Sequence, residues 1–271
     1  MSFLDTKPSI IEKVLKIAKD AGEAILDIYK NSNSDFKLKE DKSPLTKADI
    51  ASHEIIVTGL KNLTPDIPIL SEEDSHIAFA NRSLWYRYWL IDPLDGTKEF
   101  LKRNGEFTVN IALMENNRPI FGIIFIPLNN RLFWGSINYG SYEINNQEAE
   151  KKIRVSNKNR RLIATSRSHT NKKIDKLLER YDEYKVMNIG SSLKFCLIAN
   201  GEIDVYPRLG PTSEWDIAAG EVILKGAGGI VMDLKGKDII YNKEEYINPH
   251  FIAASNDDAA KEILDLIKNK K

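Results

Sequence analysis

Acidic residues gather in four short segments of this chain. "SPLTKAD" ends in Asp49, "ILSEED" carries Glu72 and Glu73, "IDPLDGT" carries Asp92 and Asp95, and "SEWDIAAG" carries Asp216. Carboxylates brought close together repel unless a cation lies between them. With one cysteine and four histidines in 271 residues, the available donors are oxygens, which suit a hard cation such as Mg²⁺. In "DPLDG" a turn can direct both Asp side chains and the Leu94 carbonyl towards one point. Gly96 and Thr97 follow at once, where backbone N–H groups can receive a phosphate. Mg²⁺ at this spot would offset the repulsion, bind phosphate oxygens and activate a water, and paired ions of this kind lie about 3.5–4 Å apart. Thr97 can orient the water while a nearby Glu or Asp takes its proton.

Each segment alone has a plainer explanation. Asp49 and Asp216 suit the positive end of a helix, "SEED" reads as a solvated loop, and "DPLDG" as a type I turn with Pro in second place. The combination is what points to chemistry. Phosphatases that use a nucleophilic aspartate place two acids in an Asp-x-Asp pair. Here Asp92 and Asp95 are three apart, which favours activated water over a covalent aspartyl intermediate.

The elements that must hold these residues follow from apolar periodicity. A stripe from Ile10 through Ile28 predicts a helix over 9–29, and a second helix is expected over 48–63 with Thr46 as N-cap and Asp49 in an imperfect capping box. "IPIL", "WYRYWLI", "FTVNIALM", "PIFGIIFIP", "RLFWGSI" and "GSYEI" read as successive strands, mostly of one sheet with antiparallel pairs. A charged stretch over 145–154 then marks a break. Beyond it, "LIATS", "YKVMNIG", "IDVYP", "GGIVMDL" and "FIAAS" read as strands. Helices are expected over 172–181, 191–200 and 217–226, with one more closing the chain. The pattern predicts an α/β (α+β) protein with a helix-plus-antiparallel-sheet half at 1–153 and an α/β half at 154–271, joined as one compact unit.

Bulk properties narrow the function classes. Lys+Arg and Asp+Glu both total 39, so the net charge is zero, and nothing favours a nucleic-acid partner. Cys196 excludes an internal disulfide, fits a reducing compartment and reads as a buried small hydrophobe. The longest apolar stretch falls short of the roughly 20 residues that span a bilayer, and the N-terminus lacks the form of a secretory signal. The expectation is a cytoplasmic protein with no integral membrane segment, with peripheral membrane association and the choice between monomer and homodimer left open.

At the acidic segments the chain resembles the Mg²⁺-dependent, lithium-sensitive phosphatase superfamily of inositol monophosphatase. That family's Glu-Glu pair, Asp-Pro-(Ile/Leu)-Asp-Gly-Thr and Trp-Asp-x-Ala-Ala-Gly are matched by "SEED", "DPLDGT" and "WDIAAG", in the same order and spacing. The resemblance implies the layered α/β/α/β/α sugar-phosphatase fold and two or three Mg²⁺ ions. The implied metal ligands are Glu72, Asp92, the Leu94 carbonyl, Asp95 and Asp216. Asp49 is implied as ligand or water-holder for a weaker additional metal, Thr97 and Glu72 as the water-activating pair, and Glu73 as a support behind them.

The flanks "DPLDGTKEF", "NGEFTVNIAL", "ATSRSH" and "GSSLKFCLIANGEIDVYPRLGPTSEWDIAAG" resemble the CysQ-type 3′(2′),5′-bisphosphate nucleotidases. Inositol phosphatases more typically carry Thr-Asn where this chain has Lys98 and Glu99. The implied substrate is adenosine 3′,5′-bisphosphate, with the sulfated nucleotide as a further candidate. Loss of the 3′-phosphate gives AMP and supports sulfate assimilation. Substrate contacts are then expected from Gly96, Thr97 and Asp216 at the metals. Ser168, His169, Ser191, Lys194 and Arg208 are expected to serve a second anion site and the nucleoside. Ser191 and Lys194 would share one face of a helix, and Arg208 can bind phosphate in a forked geometry. By spacing alone Lys194 and Arg208 read as solvated surface; the resemblance reverses that. Tyr206 reads as core or as a flank of the base. An inositol or other sugar-phosphate phosphatase, and a non-catalytic metal- or nucleotide-binding relative, are the competing readings.

Overall fold

The computed structural model describes residues 9–31, 36–38, 44–146, 149–158, 160–168 and 184–268. Helix α1 (Ser9–Asn31) buries Ile10, Val14, Ala18, Ala21 and Ile25, an i, i+4, i+3 stripe on one face. β1 (Phe36–Leu38) and β2 (Pro44–Thr46) form a small antiparallel ribbon within a stretch that reads from sequence as a polar connection. Helix α2 (Lys47–Leu63) follows and opens on a full capping box: Thr46 and Asp49 each satisfy a backbone donor of the other.

The first sheet has seven strands in chain order: β3 (Ile69–Ser71), β4 (Arg87–Asp95), β5 (Thr108–Glu115), β6 (Arg118–Ile126), β7 (Arg131–Ser136), β8 (Gly140–Ile144) and β9 (Glu150–Ile153). All neighbours are antiparallel except β3 and β4. That parallel pair needs a crossover, which contains the short helix α3 (Phe79–Arg82). Alternate residues of β4 serve opposite faces. Trp89 and Ile91 pack with α1 and α2, whereas Tyr88 and Leu90 face the second half of the chain. With both faces covered, the strand reads as an almost unbroken apolar run.

After the short helix α4 (Thr97–Leu101) in the first half, the second half contributes β10 (Leu162–Ser166), β11 (Lys185–Ile189), helix α5 (Leu193–Ala199), β12 (Val205–Arg208), helix α6 (Glu214–Gly226), β13 (Ile230–Asp233), β14 (Phe251–Ala254) and helix α7 (Asp257–Lys268). Its five strands run in the order β11-β10-β12-β14-β13, with β10 parallel to β11 and β12, and β14 antiparallel to both of its neighbours. α5 and α6 share a core with both sheets, while Ala259, Ala260 and Ile263 of α7 cover the outer face of the second sheet. The small residues of "AAG" make this layering possible: a Cβ on Gly220 would lie 2.5 Å from the Phe195 ring, so α5 and α6 touch closely there. Helices, sheet, helices, sheet and helix stack as the five layers of the expected fold.

Several expectations need correction. The charged stretch over 145–154 is not a simple break, because β9 lies within it. β9 ends the sheet, so its lysines face water and hide the apolar alternation of a strand. Ser191 is not helical: its φ is 48°, Ser192 caps α5, and the helix begins at Leu193. Ser191 and Lys194 therefore do not share a helix face. α6 begins at Glu214 rather than at the expected 217, and holds Asp216 in its first turn, the positive end of the helix. The helix expected over 172–181 lies outside the described residues. Among the described residues, no helix is long and apolar enough to cross a membrane. Cys196 is buried, and burial pushes its thiol pKa well up, as befits an inert small hydrophobe.

Candidate active site

The site begins at an irregularity in β4. Asp92 pairs with Asn110 and Asp95 with Thr108, so three steps along β4 match two along β5. Pro93 supplies no N–H to the ladder, and the bulge that results turns the strand end out of the sheet. Asp92 Oδ1 accepts from the Leu94 N–H at 3.1 Å, and Ser52 Oγ of α2 donates to the Pro93 carbonyl at 2.7 Å. Asp92 and Asp95 are thus carried by a bulged strand end, not by the type I turn that the plainer reading expects.

Glu72 joins them because β3 is parallel to β4. Ser71 pairs with Ile91, and the Glu72 N–H continues the ladder to the Ile91 carbonyl at 3.1 Å, level with Asp92. Asp216 arrives from α6, where its Oδ2 accepts from the Ser213 N–H at 2.8 Å in a capping box. Among the described residues, Glu72, Asp92 and Asp216 offer ligand oxygens that all lie within 4.8 Å of one another.

Electrostatics match a cation-binding role. Burial pushes the Asp216 carboxyl well up, and the negative charges of Asp95 and Glu72 add to it. Burial likewise pushes Asp95 up to about 6, against the opposing pull of the Lys194 ammonium and the Ser192 N–H. Buried carboxyls such as Asp95 and Asp216 favour the protonated form unless a divalent cation replaces the proton. An all-oxygen donor set of this size fits Mg²⁺.

Asp95 stands slightly apart from the trio. Its Oδ2 accepts from the Ser192 N–H at 2.6 Å and from Asn110 Nδ2 at 3.4 Å. The Leu94 carbonyl and Asp49 Oδ1 are each 3.3 Å from Thr97 Oγ1. Asp49 is buried behind Thr97, and its Oδ2 accepts from the Thr46 N–H at 2.7 Å. Asp49 thus caps α2 with one oxygen, as expected, and accepts from Thr97 with the other. Gly96 adopts φ 91°, a left-handed conformation open to glycine, and turns the chain into α4.

Most of these groups line a cleft of about 400 Å³ that also holds Lys194 and Arg208. Lys194 is almost fully buried. Its Nζ donates to the carbonyls of Ile189 (3.0 Å) and Ser191 (2.5 Å) and lies 4.9 Å from the Tyr206 ring centroid. Burial pushes the Lys194 ammonium down to about 8, although Asp95 pulls the other way. Arg208 Nη2 donates to the Pro211 carbonyl at 2.7 Å, and its buried Nε has no hydrogen-bond partner.

The cleft brings together Glu72, Asp92, Leu94, Asp95, Gly96, Thr97, Ser191, Lys194, Arg208 and Asp216 from the sequence expectations. Glu73 and Ser168 are not among its lining residues; Ser168 Oγ instead accepts from Lys102 Nζ at 3.2 Å. His169 lies outside the described residues. Sequence reasoning missed Ser192, whose contribution is a backbone N–H that no residue type announces. It used Glu99 only as a marker of subfamily, yet this residue is buried, lines the cleft and keeps Oε1 without a partner.

Known proteins resemble this chain along nearly its whole length. A family model described as the inositol monophosphatase family matches residues 8–270. The 3′(2′),5′-bisphosphate nucleotidase CysQ of Salmonella typhimurium is 46% identical over 244 residues, covering 89% of this chain and 98% of that protein. Its namesake from Buchnera aphidicola is 40% identical over 270 residues, covering 94% and 98%. Among solved structures, CysQ from Bacteroides thetaiotaomicron superposes with a TM-score of 0.80 at 40% identity, covering 92% of this chain and 98% of that one. An inositol monophosphatase from Zymomonas mobilis shares the fold at a TM-score of 0.78 and 23% identity, covering 99% and 100%. A match of this extent, on a fold whose acidic segments converge in one cleft, means that the chain belongs to the inositol monophosphatase family.

Proposed function

We propose that this protein is a Mg²⁺-dependent 3′(2′),5′-bisphosphate nucleotidase that removes the 3′-phosphate of adenosine 3′,5′-bisphosphate, giving AMP and phosphate. The observation that carries the reading is one cleft lined both by the acid trio and by two buried basic side chains, Lys194 and Arg208. A monoester needs only the acids and their metal. A bisphosphate also needs a cationic site for its second phosphate, which a buried ammonium and a guanidinium with an unpartnered Nε can supply. The relatives named as nucleotidases support the same substrate.

Glu72, Asp92, Asp216, Asp95 and the Leu94 carbonyl would hold the Mg²⁺ ions, which when bound polarise the phosphate and activate water. The chain's own groups then orient the reaction. Thr97 gives its hydroxyl proton to Asp49 Oδ1 or the Leu94 carbonyl, which leaves its oxygen lone pairs to accept from the attacking water. Glu72 takes the other proton of that water as the new oxygen–phosphorus bond forms; the bond to the ribose oxygen breaks, and that oxygen takes a proton from solvent water to leave as the 3′-hydroxyl of AMP. Ser191 and the N–H groups after Gly96 add neutral donors to the phosphates. In this reading the halves 1–153 and 154–271 form one catalytic unit, because Asp216, Lys194 and Arg208 come from the second. A cytoplasmic nucleotide substrate also suits a chain whose lone cysteine is a buried thiol.

Phosphate release with Mg²⁺ tests the reading. Adenosine 3′,5′-bisphosphate is expected to turn over far faster than inositol 1-phosphate. Equal or reversed rates would assign the same site to sugar phosphates, and Mg²⁺-dependent nucleotide binding without turnover would make it a binding site.

A further inference from the structure

We propose that Glu106 is a positioning residue for this site. Its carboxylate clasps the 188–192 segment of the second sheet against the acidic loop of the first, and so fixes where the Ser192 N–H meets Asp95. The inference rests on the reading of the cleft as a metal phosphatase site.

Glu106 lies between α4 and β5, outside the cleft lining, in the "NGEF" segment whose acid has no role in the chemistry above. Its Oε2 accepts from the Gly190 N–H at 2.7 Å. Arg167, just past β10, grips the same carboxylate with two donors: Nε to Oε2 at 2.5 Å and Nη2 to Oε1 at 2.7 Å. Arg167 Nη2 also donates to the Asn188 carbonyl at 2.5 Å, and the Arg167 N–H donates to the Ile189 carbonyl at 3.2 Å. Three successive residues, 188 to 190, are thereby tied to this one pair of residues.

What the segment carries explains why its position matters. Two residues beyond Gly190, the Ser192 N–H reaches Asp95 Oδ2 at 2.6 Å, and Lys194 turns back onto the Ile189 and Ser191 carbonyls. Between them Ser191 has φ 48°, a conformation that a residue with a side chain adopts only when its surroundings impose it. The contact is close enough to need glycine: a Cβ on Gly190 would lie 2.9 Å from the Glu106 carbonyl oxygen and 2.6 Å from Glu99 Cγ.

The ion pair itself is a poor candidate for stabilising the fold. The Arg167 side chain is 42% exposed and that of Glu106 21%, a setting in which ion pairs contribute little. Its consequence is geometric: a carboxylate on the first half fixes the backbone that the second half presents to a metal ligand. Groups that orient metal ligands typically change metal affinity about 10–100-fold when removed. Glu106 acts one step further away, so its effect belongs at the low end.

The test compares Glu106→Ala and Glu106→Gln with the wild type in three measurements. These are Mg²⁺ binding by titration calorimetry without substrate, KM and kcat for adenosine 3′,5′-bisphosphate, and the midpoint of thermal unfolding. The alanine variant is expected to weaken Mg²⁺ binding and raise KM, each about 5- to 10-fold, while its unfolding midpoint stays within about 2 °C. The glutamine variant keeps a carbonyl oxygen for the Gly190 N–H and is expected to recover most of both losses. Wild-type Mg²⁺ binding and KM in the alanine variant would overturn the proposal. So would losses that scale with a lowered unfolding midpoint and are no smaller in the glutamine variant. If the wild type leaves adenosine 3′,5′-bisphosphate intact, the substrate reading fails, and the calorimetric comparison still decides the role of Glu106.

Discussion

Thr97 Oγ1 lies 3.3 Å from Asp49 Oδ1, although the two residues come from different helices and 48 positions apart in the chain. Asp49 is fixed by its second task, since its Oδ2 closes the capping box at the start of α2. A helix N-terminus, built for ordinary reasons, therefore delivers a rigid acceptor to a hydroxyl that lines the proposed metal site.

Thr97→Ala follows directly. It removes the oxygen that orients the water but leaves the carboxylates in place. kcat is expected to fall about 10²- to 10³-fold, within the span of positioned proton-transfer groups, with Mg²⁺ affinity close to the wild type. Steady-state kinetics with a Mg²⁺ titration checks both. A variant that loses Mg²⁺ affinity as much as kcat would show that Thr97 serves the metal rather than the water.

Asp95→Asn separates stability from function. The neutral amide can still accept from the Ser192 N–H, and it removes a charge that burial disfavours, since the carboxyl is pushed up to about 6. Without Mg²⁺ the variant is expected to be about 1–2 kcal/mol more stable than the wild type near pH 7. With Mg²⁺ the ranking is expected to reverse and turnover to be nearly abolished. Thermal unfolding with and without Mg²⁺, beside an activity assay, reads all three.

The same carboxyl sets a pH dependence with a definite sign. Its pKa rises from 3.8 in the unfolded chain to about 6 in the folded one, so between these values the folded state holds a proton that the unfolded state has released. Metal-free protein is thus expected to lose stability as pH rises from about 4 to about 6. Mg²⁺ competes with that proton, so the stabilisation it gives is expected to grow through the same window. Unfolding curves across that range with and without Mg²⁺ provide the measurement; a Mg²⁺ effect that does not change with pH would contradict it.

Much of this was legible in the sequence for identifiable reasons. The layers were readable because both faces of the main strands are buried, so β4 to β7 stand out as apolar runs, and because α1 keeps a strict stripe. The acids were readable because each sits in a short segment with its own geometric cue, such as Pro93 and Gly96 around Asp95. The contribution of Ser192 was not readable, since a backbone N–H carries no residue signature and reaches Asp95 across 97 positions. The bend at Ser191 was hidden for a related reason: residues 191–200 have helical composition, but the clasp on Gly190 and the carbonyl bonds of Lys194 hold the first of them out of the helix.

Lys194 yields the prediction that most directly tests the proposed site for a second phosphate. Burial lowers its pKa to about 8, so in the free protein the group is mostly an ammonium at neutral pH and loses its charge above that value. An anion held by this group binds while the group is protonated, and KM for a bisphosphate is expected to rise as pH increases through about 8. A substrate with only the phosphate to be cleaved does not engage Lys194, and its KM is expected to stay level over the same range. Replacing Lys194 by Met keeps the stem beside Tyr206 but removes the charge. KM for the bisphosphate is then expected to rise at least about 10-fold, as for other lost charge-assisted bonds. The pH dependence above about 8 is expected to vanish with it. The stability effect has its own sign: between about 8 and 10.5 the unfolded chain binds the proton that the folded chain has lost, so the wild type gains stability with rising pH there and the Met variant does not. KM profiles for adenosine 3′,5′-bisphosphate and adenosine 3′-monophosphate from pH 6.5 to 9.5, a range of about 1.5 units either side of that value, measure the effect. Parallel profiles for the two substrates would place the second phosphate elsewhere.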